Sequence, residues 1–308
     1  MEEIDSILKR INSEIETIRI EEIKLQCDCF TNTIYSLGEK YILKICTSKN
    51  NEENFVRATN FCAKYENILK TPHIVYSDLS KNDIEFYYVL MEKVKGENLS
   101  NVWTELEQKK REDVIFKLTN KIKDIHMIDD DIFSNVLVET NAWAQKFYED
   151  ICNRLKALYD NKIVSQQFET DIFKFIENNI CYLEESNYAI CHADLHFDNI
   201  MLDENQEIVI LDFDRLRKSS IDYELDVINR MCFNPNIILQ HNNRKKYESM
   251  MFNNLMEMMA QFYPQLFDFE HLDKRLKVYG IKQYLNILSQ KKNKRIVEEI
   301  IEFLNMSK

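Results

Sequence analysis

Three short apolar runs in the second half of the chain are spaced so that a polar loop and a tight turn must lie between them. Tyr188-Ala-Ile-Cys191 reads as a short buried strand, Asn199-Ile-Met-Leu202 as a second, and Glu207 to Leu211 as a third. Asp203-Glu-Asn-Gln206 is a polar turn between the last two, so these pair as a hairpin that returns Asp212 to the side of Asn199. The loop entering the hairpin gives His192-x-Asp194-x-x-x-x-Asn199, followed by Asp212 at the hairpin's end. His-x-Asp alone carries little information. Its place between a buried strand and a hairpin that ends in a second aspartate carries the weight.

That set of side chains suits phosphoryl transfer from a nucleoside triphosphate to a hydroxyl. One aspartate orients the acceptor hydroxyl and takes its proton, while an asparagine and a second aspartate hold magnesium on the phosphates. Asp194 takes the first role, and Asn199 and Asp212 are the metal ligands. His192 and His196 fit bracing of the loop backbone. Asp214, two residues past Asp212, is read as holding the loop or the metal and stays outside the core assignment.

The 308 residues suffice for two lobes with separate cores, and 45% hydrophobic residues is an ordinary globular composition. Three glycines and three prolines exclude long flexible linkers. The charge, 40 minus 52 or −12, disfavours a nucleic-acid partner, because phosphate contacts need basic patches. No apolar run approaches the roughly 20 residues that span a bilayer, and the acidic start, Met-Glu-Glu-Ile-Asp, has no signal-peptide core. A cytoplasmic protein without a membrane partner is expected. The eight cysteines include one close pair, Cys27-x-Cys29, with no second pair to complete a zinc site, so reduced, mostly buried thiols are expected. Nothing in the sequence indicates an oligomeric state.

Along the chain, Ile4, Ile7, Leu8, Ile11 and Ile15 form a helical face. Strands are expected at about 18–27, 32–37 and 40–46, a helix at 52–68, and two more strands at about 73–78 and 84–91. Beyond Gly96 the pattern is helical, interrupted only by the hairpin and its loop, and Ile296, Ile300, Ile301 and Leu304 mark a last helix. The expected boundary falls near Lys93-Val-Lys-Gly-Glu97, giving an N-terminal nucleotide-binding lobe at 1–95 and a helical catalytic and substrate-binding lobe at 96–308.

With these elements in place, the chain resembles the aminoglycoside phosphotransferase and choline kinase group. The residues that carry the resemblance are Tyr41-Ile-Leu-Lys44-Ile, Glu52-Glu53, Leu90-Met-Glu-Lys-Val-Lys-Gly96-Glu-Asn-Leu99, Leu118-Thr-Asn-Lys-Ile-Lys-Asp-Ile-His126 and His192-Ala-Asp-Leu-His-x-x-Asn199. It implies an α+β, bilobal protein-kinase-like fold, with a small mixed antiparallel-sheet N-lobe and a mostly helical C-lobe. It implies that Lys44 contacts the α- and β-phosphates and that a helix glutamate orients it, Glu53 by choice with Glu52 close behind. It also implies that backbone groups at Met91, Glu92 and Val94 pair with the purine edge. His126 is expected to pack at a helix end, and Asp226, in Tyr223-Glu-Leu-Asp226, to be a structural brace. The phosphate-covering loop near Cys27–Thr33 lacks glycine, and Ala193 stands where glycine is common.

The implied activity is an ATP-dependent, Mg2+-requiring O-phosphotransferase for a small hydroxylated, cationic molecule, with GTP the alternative donor. Asp129-Asp-Asp131 and Asp268-x-Glu270 are candidate contacts for amino groups. The alternatives are choline, ethanolamine or a sugar-like metabolite as acceptor, or a nucleotide-binding pseudokinase. A protein kinase is disfavoured, since no arginine precedes Asp194 and no Ala-Pro-Glu follows Asp212.

Overall fold

A short strand apolar on both faces requires cover on both sides of its sheet, and Tyr41–Cys46, apolar but for Lys44, meets that condition. The computed structural model describes residues 2–14, 23–28, 31–82, 84–130, 143–185, 187–239 and 247–305. The first elements are α1 (Glu2–Glu14), β1 (Ile23–Asp28), β2 (Asn32–Leu37), β3 (Tyr41–Cys46), α2 (Glu52–Leu69), β4 (Ile74–Asp78), β5 (Tyr88–Glu92), β6 (Gly96–Asn98) and α3 (Leu99–Val102). There follow α4 (Gln108–His126), α5 (Trp143–Asp160), α6 (Gln166–Asn179), β7 (Tyr188–Cys191), β8 (Ile200–Asp203), β9 (Ile208–Ile210) and β10 (Arg217–Ser220). The last are α7 (Leu225–Phe233), α8 (Pro235–Ile238), α9 (Leu255–Phe262), α10 (Leu272–Lys291) and α11 (Lys294–Asn305). The fold is α+β: antiparallel sheet dominates the N-terminal region and helix the C-terminal region.

Two compact units result. One comprises Met1–Val102 with Asn199–Leu216, the other Trp103–Asp198 with Arg217–Lys308. In the first unit an antiparallel sheet has the order β1-β2-β3-β5-β4. On one face Leu43 and Ile45 pack with Leu37, Tyr88 and Leu90 against Ile7, Leu8 and Ile11 of α1. On the other, Cys46 and Val89 pack with Phe55 of α2. Alternation puts Lys44 on this second face, where its ammonium lies 5.5 Å from the Phe55 ring centre. The acidic pair Glu52 and Glu53 occupies the first turn of α2, where the helix dipole favours negative charge.

Two boundaries differ from expectation. The strand expected at 84–91 begins at Tyr88, because β4 supplies partners only from Ile74 to Asp78. There the Asp78 carboxylate accepts hydrogen bonds from Ser80 N and Oγ (2.9 and 2.7 Å) and turns the chain. Ile23–Cys27 of the first expected strand lies in β1, and 18–22 falls outside the described residues. In α11, Ile296, Ile300 and Phe303 face the core while Ile301 is 47% exposed, as a 3.6-residue period dictates.

Beyond Gly96 the chain is less purely helical than expected, for β6 forms a three-stranded sheet with the hairpin in the order β6-β8-β9. Gly96 pairs with Asp203 at a φ of +149°. A Cβ there would stand 2.0 Å from the Leu202 carbonyl oxygen.

In the second unit α10 packs against α5, α6, α7 and α11. Its Arg275 is buried with Asp222: Nε donates to Oδ2 (2.7 Å) and Nη2 to Oδ1 (2.9 Å). Arg275 Nη1 also donates to the Tyr182 and Glu185 carbonyls. β10, another strand not expected from the sequence, pairs antiparallel with β7. No helix among the described residues is long and apolar enough to cross a membrane.

Gly96→Ala should therefore destabilise more than Gly38→Ala. At Gly38 a Cβ meets nothing within 4 Å and only the left-handed φ of +59° is unfavourable, a cost of about 1–2 kcal/mol. The clash at Gly96 adds to a comparable backbone cost. Urea denaturation of the two variants measures the difference, and equal midpoints would contradict it.

Candidate active site

The Lys44 side chain is buried, and its ammonium meets two carboxylates. Nζ donates to Asp214 Oδ1 at 2.6 Å and to Asp212 Oδ1 at 2.8 Å. The second oxygen of Asp214 accepts from Asn32 Nδ2 (2.7 Å) and Asn51 Nδ2 (3.0 Å). A buried ammonium is costly unless compensated. Burial pulls the Lys44 pKa down, but Asp212 and Asp214 outweigh it and hold the pKa above its ordinary 10.5.

The β8–β9 hairpin delivers the carboxylates. Leu211 N donates to the Asn199 carbonyl (2.8 Å), which fixes Asp212 beside the start of β8. Asp212 then adopts a left-handed conformation (φ +55°), and Phe213 turns inward to lie 6.0 Å, centre to centre, from the Phe61 ring of α2. Asp214 is buried, whereas the Asp212 side chain is 43% exposed. Asn199 and Asp212 are hard oxygen donors of the kind magnesium accepts, and both belong to this hairpin unit.

Neither glutamate at the head of α2 reaches Lys44. Glu52 pairs with Lys81 at 2.5 Å, and Glu53, 88% exposed, lies 3.8 Å from Arg57. The expected Glu53–Lys44 pair is therefore not made here, and Asp212 and Asp214 take its place. Asp212 and Asp214 as lysine partners, and Asn32 and Asn51 as donors to Asp214, were missed by sequence reasoning. The recurrence of Asp two residues after Asp212 was the one available signal. Met91 and Glu92 close β5, where Glu92 N donates to the His73 carbonyl (2.8 Å) and Lys93 N to the Lys40 carbonyl (2.8 Å). A purine edge docking on Met91–Val94 would use groups other than these two amides.

Asp194 belongs to the second unit. β7 leads into the fully buried His192, and Ala193 takes a φ of +63°, which explains why glycine suits that position. The Ala193 amide donates to Glu224 Oε1 at 2.9 Å. The Asp194 carbonyl accepts from His196 N at 2.9 Å. Leu195 and Phe197 are buried, with the Phe197 ring edge-on to Trp103 at 4.9 Å. Glu224 braces this loop, and Asp226 makes a buried structural contact, pairing with Arg230 one turn along α7 (2.9 and 3.1 Å). His126 closes α4 as expected, with Nδ1 3.1 Å from Tyr263 Oη. Of the acidic clusters, Asp131 lies outside the described residues.

A buried lysine held by two aspartates on a hairpin, and an aspartate-bearing loop five residues ahead of Asn199, are the parts of a phosphotransferase. The chain belongs to the phosphotransferase enzyme family (APH), whose profile matches residues 30–236. Comparison with curated protein sequences finds no match. Among solved structures, the gentamicin complex of APH(2")-IIa is 15% identical and aligns over 98% of this chain and 96% of that one, with a TM-score of 0.69. The ADP-bound aminoglycoside phosphotransferase APH(2'')-Ib is also 15% identical (97% and 96% covered, TM-score 0.68). The GDP complex of aminoglycoside 2'-phosphotransferase-IIIa is 12% identical (99% and 97% covered, TM-score 0.72). At these identities the likeness is one of fold, the protein-kinase-like fold of aminoglycoside kinases.

Asp214→Asn should destabilise the protein by roughly 3 kcal/mol, the lower end of the range for breaking a buried pair, since Asp212 remains. Because the folded-state pKa of Lys44 is raised, the stability its ammonium contributes is complete below 10.5 and is lost as pH rises through the folded value. Denaturation at neutral pH and in steps above pH 10.5 checks both statements.

Proposed function

We propose that the chain is an ATP-dependent, magnesium-requiring O-phosphotransferase for a small hydroxylated, cationic acceptor of the aminoglycoside kind. The observation that carries the reading is the buried Lys44 ammonium shared between Asp212 and Asp214. Such a charge, held without freedom to move, is suited to the phosphates of a bound nucleotide. Lys44 contacts the α- and β-phosphates. Asn199 and Asp212 hold magnesium, which neutralises phosphate charge when bound. Asp194 orients the acceptor hydroxyl and accepts its proton. Backbone groups of Met91–Val94 hold the base.

The acceptor class rests on two further supports. The fold neighbours include structures described as complexes with gentamicin, streptomycin with ATP, and kanamycin with GDP. The net charge of −12 favours a cationic ligand over an anionic one.

Asp194→Asn should reduce turnover about a hundredfold to ten-thousandfold while nucleotide still binds. Asp212→Asn and Asn199→Ala should raise the magnesium needed for half-maximal turnover. An unchanged magnesium requirement in both would remove the metal assignment. A panel of aminoglycosides, choline, ethanolamine, neutral sugars and a peptide, offered with ATP and with GTP, identifies donor and acceptor. Transfer confined to neutral sugars overturns the cationic preference. Transfer to none, with nucleotide bound, favours a pseudokinase.

A further inference from the structure

His126, Cys191 and Glu224 come from three separate segments of the second unit: the end of α4, the end of β7, and the turn before α7. Their ligating atoms converge. Nε2 of His126 lies 3.6 Å from Cys191 Sγ and 3.7 Å from Glu224 Oε2, and the three atoms lie within 4.8 Å of one another. The Cys191 and Glu224 residues and the His126 side chain are buried.

These separations fit a tetrahedral cation. Zinc bonds of about 2.0–2.3 Å to nitrogen, oxygen and sulfur imply ligand separations of roughly 3.4–3.6 Å along the tetrahedron's edges. Two of the three edges are already near those values. The donors match in kind, since one imidazole, one thiol and one carboxylate suit zinc or another thiophilic divalent ion and do not suit magnesium.

Two of the three ligands are also prepared for the role. His126 Nδ1 faces Tyr263 Oη at 3.1 Å, the outer contact that metal-bound histidines make through their second nitrogen. Glu224 spends Oε1 on the Ala193 amide, while Oε2 is buried 3.7 Å from the His126 imidazole and makes no hydrogen bond of ordinary geometry among the described residues. Such an atom is costly to leave unsatisfied. Burial first, then the Glu224 carboxylate, push the Cys191 thiol well above its ordinary pKa, so a cation would have to displace its proton. A cavity of about 180 Å3 lies alongside, lined by His126, Asp129, Asp130, Tyr188, Ile190 and Lys218.

We propose that His126 Nε2, Cys191 Sγ and Glu224 Oε2 bind one zinc-class divalent cation, with water as fourth ligand. Binding displaces the Cys191 proton to solvent. Glu224 then bridges the cation and the Ala193 amide, and Cys191 adjoins His192, so the cation clamps the backbone that carries Asp194. This site goes beyond the phosphotransferase reading and does not depend on it.

The test uses the 308-residue chain stripped with a chelator, carrying Cys27→Ser and Cys29→Ser to remove the one close thiol pair of the sequence. Zinc is titrated against a chromophoric chelator, and cobalt is followed by its thiolate charge-transfer absorption. One equivalent should bind and the cobalt band should appear. Cys191→Ser should abolish the band and weaken binding by more than about a hundredfold, beyond the effect of losing an outer contact. His126→Gln is the second variant, read by the rise in Tm on adding zinc, which should occur in the parent and vanish in the variant. No binding by the parent, a cobalt band that survives Cys191→Ser, or an equal rise in Tm with His126→Gln would each overturn the site.

Discussion

A lysine ammonium taken out of water needs negative charge beside it, and in this chain that need organises the N-terminal unit. Lys44 lies on the α2-facing side of the sheet and is compensated by Asp212 and Asp214, which are 168 and 170 residues away along the chain. Asn32 on β2 and Asn51 before α2 complete the shell by donating to Asp214. Strand, helix and hairpin are thereby tied through one carboxylate. A pair of this kind gives little net stability relative to an apolar substitute, yet costs much if half of it is lost. Its value lies in holding charge at a fixed place, which a phosphate-binding site requires.

The helical unit uses the same device for a different purpose. Arg275 and Asp222 are buried together, with Ser220 and Tyr279 hydrogen-bonded into the group. This fixes the turn from which Glu224 reaches the Ala193 amide. Ala193, in a left-handed conformation unfavourable for a residue with a Cβ, is held by that bond. The loop bearing Asp194 thus takes its shape from charges packed behind it.

Much of this was legible in the residues, and the reasons differ by element. The hairpin at 199–212 was visible because a polar turn separates two apolar runs. Lys44 was visible as a charge inside a strand otherwise apolar on both faces. Its partners were not, since spacing along α2 says which glutamates are near the helix start and nothing about which way they turn. Helix dipole and solvent account for Glu52 and Glu53, and Lys81 and Arg57 take them up. The strands β6 and β10 escaped notice because each is only three or four residues long and carries polar side chains. They exist through backbone pairing to β8 and β7, which leaves no periodic signal. The convergence of His126, Cys191 and Glu224 is likewise tertiary, for their spacing along the chain matches no ligand motif.

The discontinuity of the first unit has a bearing on how the chain is made. Its five-stranded sheet is complete by residue 92, but Asn199–Leu216 belongs to the same unit. Synthesis from the N-terminus must reach residue 214 before Asp212 and Asp214 are both in hand. Until then Lys44 faces a buried environment without its counter-charges, and Gly96 has no Leu202 strand to pair beside. The nascent sheet is therefore held back from its final packing, and the second unit's first helices emerge before the first unit can close.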